Sequence, residues 1–443
     1  PGLGAPGRTS LVQDIASARE RGSDTLIILA LTVRMSDADE AQPRPDEAQP
    51  SLEQQHSGAV LTLHFDVNET VMVGDPAGGD TYEQSLNKIL AKSAFVSRVA
   101  SPPAGARLLQ RYVWHDGTPL DPAERSLAEP PPPLLPECTF EEPDGCLAFY
   151  KVAELKRPWG KTFTEHGSPG VIYRAELERL RDALAWPADA PVDPRLCEDG
   201  HHVLLPAFFR TLSGLWQRGQ RYTIVVRTFG TDMDRVASAL DAFSEGKHPL
   251  HPEAPGVRLR PERIWQLRFN AQGRFALSGE GREAVTDEVE ALDLLLRDAD
   301  AAEGSVCCAG VSDDYKWWRG SGYAPSAGKP LWLTLDEVLV ARQLFFDDNI
   351  HNDATDSIVA VRGRPTADAP FVPLSGELTR RLHGIVLRRV PTMQPILDAD
   401  WFLQQIGASG AALDALRGTP LWTELQVAAG LRALRPAEPK EKV

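Results

Sequence analysis

Three short apolar runs in this chain each stop abruptly at polar or acidic side chains. Ala59–Phe65 (AVLTLHF) runs straight into Asp66, Asn68 and Thr70. Tyr222–Val226 (YTIVV) leads to Thr228 and Gly230, and Leu344–Phe346 (LFF) ends at Asp347 and Asp348. Runs this short have strand length, and a nearly continuous apolar strand must be covered on both faces, as in a parallel sheet flanked by helices. In open parallel sheets ligands collect beyond the carboxyl ends of the strands. Residues 66, 228 and 347, distant in sequence, are therefore expected along one edge of an α/β fold. A single strand-ending aspartate is ordinarily a turn residue or a helix N-cap. The repetition, and not any one position, carries the argument.

The rest of the chain supplies helices for such a sheet. Helical spacing of apolar residues covers Tyr82–Val99, Gly170–Ala185, Leu204–Trp216, Val236–Phe243, Val289–Leu296, Asp400–Ile406 and Ala411–Leu416. Ile264–Phe275 is strand-like in pieces, and Ile358–Val361 reads as a further strand. Residues 1–35 read as a short helix followed by the apolar run Thr25–Val33, about half of what spans a bilayer. No signal-peptide cleavage pattern follows it. Residue 1 is Pro rather than Met, so the native N-terminus is expected to be missing or processed. Residues 36–57, acidic and proline-bearing, read as a solvated linker.

Composition narrows the partners. Sixty-two acidic against 47 basic residues give a formal charge of −15, which disfavours a nucleic-acid duplex or an anionic membrane as the main partner. The five cysteines (Cys138, Cys146, Cys197, Cys307 and Cys308) have neither CxxC spacing nor a dense framework, which fits a reducing, cytoplasmic compartment. Pro130–Pro133 with Pro136 reads either as a rigid surface loop or as a polyproline ligand for a protein partner.

Several patterns carry little weight. GYAPSAGK (322–329) has one residue too many between its glycines and Pro330 in place of Ser or Thr, so it is not a phosphate loop. His201-His202 has no spaced partner for a metal. Asp232-x-Asp234 and Asp398-x-Asp400 look like metal-binding DxD pairs; the first sits just beyond Thr228-x-Gly230, and the second lies near an expected helix start, where N-capping is ordinary.

Taken in order, FDVNET (65–70), IVVRTFG (224–230), Lys329 in AGKPLW and LFFDDN (344–349) resemble the four motifs of the haloacid dehalogenase-like (HAD) superfamily, mostly phosphatases and phosphotransferases. Lys316 is the second candidate for the lysine motif. The resemblance implies a Rossmann-like parallel sheet core formed by 58–70, 221–231 and 329–443, preceded by an N-terminal segment over 1–57. It implies cap insertions over 71–220 and 232–328. The first opens with the glycine-rich 73–80, a flap or a flexible loop. The second holds Trp317-Trp318, which would either stack on a substrate ring or pack the cap.

The resemblance also assigns roles. Asp66 would be a nucleophile forming an aspartyl-phosphate, with Mg²⁺ held by Asp66, Asp347, Asp348 and the backbone carbonyl of Asn68. Thr228 and Lys329 would bind the phosphoryl oxygens. Asn68 departs from the motif, whose second aspartate protonates the leaving group. An amide has no titratable proton near neutral pH, and losing general acid–base help typically costs ~10²–10⁴ in rate. The expected activity is thus a slow Mg²⁺-dependent hydrolase or phosphotransferase acting on a small phosphorylated metabolite. The alternative is a catalytically idle HAD-like protein that binds a phosphate ligand or a protein partner.

Overall fold

The computed structural model describes residues 61–74, 79–126, 129–135, 143–297, 306–335, 342–351, 354–355 and 357–430. The apolar run Thr25–Val33, the acidic stretch 36–57, Cys138 and part of the glycine-rich segment lie outside the described residues.

Nine strands organise the fold: β1 (Leu61–Asp66), β2 (Tyr222–Thr228), β3 (Ile264–Phe269), β4 (Phe275–Gly279), β5 (Cys307–Ser312), β6 (Lys329–Thr334), β7 (Arg342–Asp347), β8 (Val359–Arg364) and β9 (Leu387–Arg389). Seven of them form one sheet in the order β9-β7-β1-β2-β5-β3-β4. Every neighbouring pair is parallel except the β3–β4 hairpin. Strands β6 and β8 pair in parallel in a second, three-stranded sheet. The chain is thus α/β, with a mostly parallel central sheet.

Coverage on both faces explains the unbroken apolar runs. All six residues of β1 are buried. Leu61, Leu63 and Phe65 face a core shared with Phe208 of α2 (Pro206–Gln217), Phe243 of α3 (Met233–Ser244) and Phe402 of α4 (Trp401–Leu416). A fully buried phenylalanine such as Phe65 contributes roughly 2–3 kcal/mol of transfer free energy. On the other face His64 stacks on Phe345 and bonds to Gln343 Oε1 at 3.1 Å. Burial, then the Arg227 cation, pushes its imidazole down to about 3, so it stays neutral.

Four local outcomes differ from the sequence reading. The helix expected over Tyr82–Val99 ends at Ser93, and Phe95–Arg98 turns into a strand of a small three-stranded sheet. Its start is secured by a capping box in which Thr81 and Gln84 exchange hydrogen bonds. Asp400–Ile406 and Ala411–Leu416 join as the single helix α4. Helix α2, within the stretch expected as the first insertion, packs on the central sheet, whereas residues around Trp114, Phe149 and Leu177 build a core of their own. Most consequentially, the stretch 232–328 is not set apart as an insertion. It contributes β3, β4 and β5 to the central sheet, with β5 hydrogen-bonded directly to β2.

Pro130–Leu135 lies along the small sheet: Leu135 N donates to Ser93 O at 2.9 Å, and Pro132 is buried. No helix among the described residues is long and apolar enough to cross a membrane.

Candidate active site

The register of the parallel strands brings the acidic ends together. Phe65 of β1 pairs with Phe346 of β7, so Asp66 and Asp347 end adjacent strands at one level. Asp66 pairs with Arg227 on the other side, which sets Thr228 at the end of β2 beside it. Lys329, the first residue of β6, arrives from the second sheet. Its Nζ donates to Asp66 Oδ1 at 2.5 Å and to Asp347 Oδ2 at 2.8 Å. Position 328 must be glycine for this approach, because a Cβ there would meet Ile358 O at 2.3 Å. Lys316 is exposed on the short helix Tyr315–Gly320, so Lys329 is the lysine at the carboxylates.

Asp66, Asp347 and Asp348 are buried, with one oxygen of each within 4.8 Å of the others. Glu69, held at φ 57° in the left-handed region, adds a fourth buried carboxylate. Lys88 and Lys92 of α1 (Tyr82–Ser93) both pair with it, and Lys92 Nζ reaches Asp348 Oδ2 at 2.9 Å. Thr70 ties the cluster together: its hydroxyl donates to Asp66 Oδ2 at 3.4 Å and accepts from Asp348 N at 3.1 Å.

The charges are incompletely balanced. Burial raises the Asp66 carboxyl well above its ordinary range, Lys329 opposes the rise, and Asp347 and Asp348 add to it. Burial likewise pushes Asp348 up to about 6 against the pull of Lys92, with Glu69 adding to the rise. Glu69 moves the other way: burial disfavours its charge, but Lys92 and Lys88 together outweigh that. Lys329 is held above its ordinary value, since Asp347 and Asp66 outweigh the burial penalty. Four carboxylates face three ammonium groups. A site of hard oxygen donors with one negative charge in excess suits a small divalent cation. The buried Asn68 Oδ1 has no hydrogen-bond partner among the described residues.

A pH dependence follows from Asp348. Its folded pKa lies above the unfolded value of 3.8, so the folded protein keeps a proton that the unfolded chain releases. That group therefore adds stability as pH falls from above 6 toward 4 and withdraws it as pH rises. Asp66 acts in the same sense; Glu69, with a lowered pKa, acts oppositely and only below the ordinary glutamate range. The buried neutral histidines, His64 and His202 among them, act in the opposite sense over the same range, so the Asp348 contribution is read as a difference between two proteins. Without divalent cations, the melting temperature of Asp348→Asn relative to wild type should fall between about pH 8 and about pH 5.5 in differential scanning fluorimetry; parallel profiles contradict the assignment.

Beside the carboxylates lies a polar nest that the motif order did not reveal. Asn68 Nδ2 donates to Asp232 Oδ2 at 3.0 Å, and Gly230 N donates to Thr228 Oγ1 at 2.8 Å. Asp232 is buried and immediately precedes α3, yet its side chain makes no capping bond there. Its carboxylate is thus turned to the site, while Asp234 is exposed. A Cβ at Gly230 would stand 2.5 Å from Asp232 Oδ2 and 3.3 Å from both Asn68 Nδ2 and Thr228 Oγ1. Gly230→Ala should displace the Asp232 side chain and lower turnover by about tenfold or more, with little loss of melting temperature. Wild-type kinetics in that variant would show that the nest plays no part.

Supporting contacts fix the frame. Arg227 and Asp313 form a fully buried bidentate pair, at 2.6 and 3.0 Å, and Arg227 Nη1 donates to Pro330 O at 2.9 Å. These bonds tie the ends of β2 and β5 to the start of β6. The Phe229 ring lies under the Lys329 ammonium, 4.8 Å from its centroid, and stacks on Trp318 at 5.4 Å. Trp317 stacks on Phe269 instead, so the tryptophan pair divides between two neighbours. His202 packs against Trp186 and His248, and burial holds its imidazole at about 4. Asp398 and Asp400 make a local turn, with Asp400 bonded to Arg210. Among the described residues, the only group of acidic, histidine or cysteine side chains placed to hold a metal is Asp66, Asp347 and Asp348.

No family model matches this chain, and no curated protein or solved structure matches it either.

Proposed function

We propose that the chain is a HAD-like, Mg²⁺-dependent hydrolase or phosphotransferase with a Rossmann-like core, acting on a small phosphorylated metabolite through Asp66. The observation that carries this reading is the convergence of Asp66, Thr228, Asp347 and Asp348 at the carboxyl ends of adjacent parallel strands, met there by Lys329 from the start of β6. Mg²⁺, held by Asp66, Asp347, Asp348 and the Asn68 carbonyl, would supply charge neutralisation to the phosphoryl oxygens. An Asp66 oxygen attacks phosphorus as the bond to the leaving oxygen breaks, giving an aspartyl-phosphate. Lys329 and the Thr228 hydroxyl hold the phosphoryl oxygens.

Asn68 cannot take a proton, and Asp232 stands beside it. In this reading Asp232 gives a proton to the leaving oxygen in the first step and takes one back from the attacking water, as the water oxygen bonds phosphorus and the Asp66–phosphate bond breaks. Phosphate leaves and Asp66 is regenerated. This nearby carboxylate favours an enzyme over an idle binding protein. A cytoplasmic setting belongs to the same reading, on the sparse cysteines of the sequence. Hydrolysis of p-nitrophenyl phosphate and of a panel of phosphorylated metabolites, with and without Mg²⁺, tests the activity. Turnover that requires Mg²⁺ is expected; no turnover on any substrate contradicts it.

A further inference from the structure

We infer that the chain has a second ligand site, separate from the aspartate cluster, that binds an anionic metabolite built of a planar ring and a phosphate or carboxylate group. A cavity of about 790 Å³ lies between the β3–β4 hairpin and the second sheet. It has the size of small-molecule sites in general. None of Asp66, Asn68, Thr228, Asp232 and Asp347 lines it. Strand β3 is the third strand from β1, about 14 Å away at the usual strand spacing.

The ionisable lining reverses the character of the whole protein. On a chain with net charge −15, the cavity presents Arg268, Arg274 and Arg362 against a single carboxylate, Glu288. That carboxylate is already engaged: Arg362 Nη2 donates to Glu288 Oε2 at 2.7 Å, and Trp332 Nε1 donates to Oε1 at 2.8 Å. Two guanidinium groups are left to set the sign of the field. Arg268 is anchored through Nη1, which donates to the carbonyls of Leu267 at 2.7 Å, Ser312 at 3.0 Å and Asp313 at 3.4 Å. Arg274 is exposed in the hairpin turn. Its position is set by Asn270, whose side-chain oxygen accepts from both Gln272 N and Arg274 N at 3.0 Å. A guanidinium presents a planar fork of donors that matches a phosphate or carboxylate edge.

The other walls are aromatic. Phe269 and Phe275 are half-buried at the cavity and pair across the hairpin, with Phe269 stacked on Trp317 on one side and Phe275 tilted against Trp332. Guanidinium donors with aromatic walls suit a ligand the size of a mononucleotide. Adenosine monophosphate is therefore the probe, titrated calorimetrically into wild type, Arg274→Ala, Arg274→Glu, Arg268→Ala and Asp66→Ala, with adenosine and inorganic phosphate as controls. Arg274 is exposed in the hairpin turn, so its variants should fold, which melting curves check. The monophosphate should bind wild type and Asp66→Ala equally, and more tightly than adenosine does. Arg274→Ala and Arg268→Ala should weaken it at least about tenfold, and Arg274→Glu more. Three results overturn the inference: no heat with the monophosphate, adenosine binding as tightly, or affinity lost in Asp66→Ala but kept in the arginine variants.

Discussion

Asp66→Asn is expected to remove Mg²⁺-dependent phosphate release by at least roughly 10³-fold, as loss of a covalent nucleophile does. The substitution is nearly isosteric. It keeps one oxygen, which can go on accepting from Lys329, while the amide nitrogen takes the place of the oxygen that accepts from Thr70 and can donate to that hydroxyl instead. Burial and two acidic neighbours already oppose the Asp66 charge, so removing it should not unfold the site. The expected pattern is therefore an inactive protein with an unchanged or raised melting temperature. A rate unchanged within about threefold, measured on p-nitrophenyl phosphate, would remove Asp66 from the chemistry.

Asp232→Asn should slow turnover by ~10²–10⁴ while leaving the first step intact. Aryl phosphates have leaving groups that depart without a proton, so phosphorylation of Asp66 should proceed and its hydrolysis should stall. The pre-steady-state signature is a burst of p-nitrophenol followed by a slow phase. A swap sharpens the test. Asn68 and Asp232 share one hydrogen bond, amide to carboxylate at 3.0 Å. The double variant Asn68→Asp with Asp232→Asn keeps that bond with the partners exchanged, and it should recover much of the lost rate. Asn68→Asp alone puts two carboxylates in contact, where like charge raises the pKa of one of them. Activity insensitive to Asp232 in all backgrounds would leave the proton transfer to another group.

What could be read from the sequence, and what could not, has a physical pattern. Strands β1, β2 and β7 were legible because both faces are covered, so apolar residues run almost unbroken to an acidic or hydroxyl end. Strand β5 (CCAGVS) sits deeper in the sheet, yet its small residues give neither periodicity nor β-branched enrichment. Strand β9 (LRR) offers a single apolar residue. The missing signal for β5 made 232–328 look like an insertion, since sequence separation measures a segment's length and not its destination. At the site, Asp66, Thr228, Lys329, Asp347 and Asp348 were legible through motif order. Lys92 and Asp232 were not, because their partners lie 256 and 164 residues away and each has an ordinary local reading, as a helix-face lysine and a helix-start aspartate.

The aspartyl-phosphate itself is the sharpest test. Wild type and Asp232→Asn would be incubated with p-nitrophenyl phosphate and Mg²⁺, quenched in acid, reduced with borohydride and digested for peptide mass spectrometry. Borohydride converts an aspartyl-phosphate to homoserine. The expected result is homoserine at position 66 alone, more abundant in Asp232→Asn than in wild type. Phosphate release proceeding with Asp66 unmodified in both proteins, or an adduct at another carboxylate, would contradict the account.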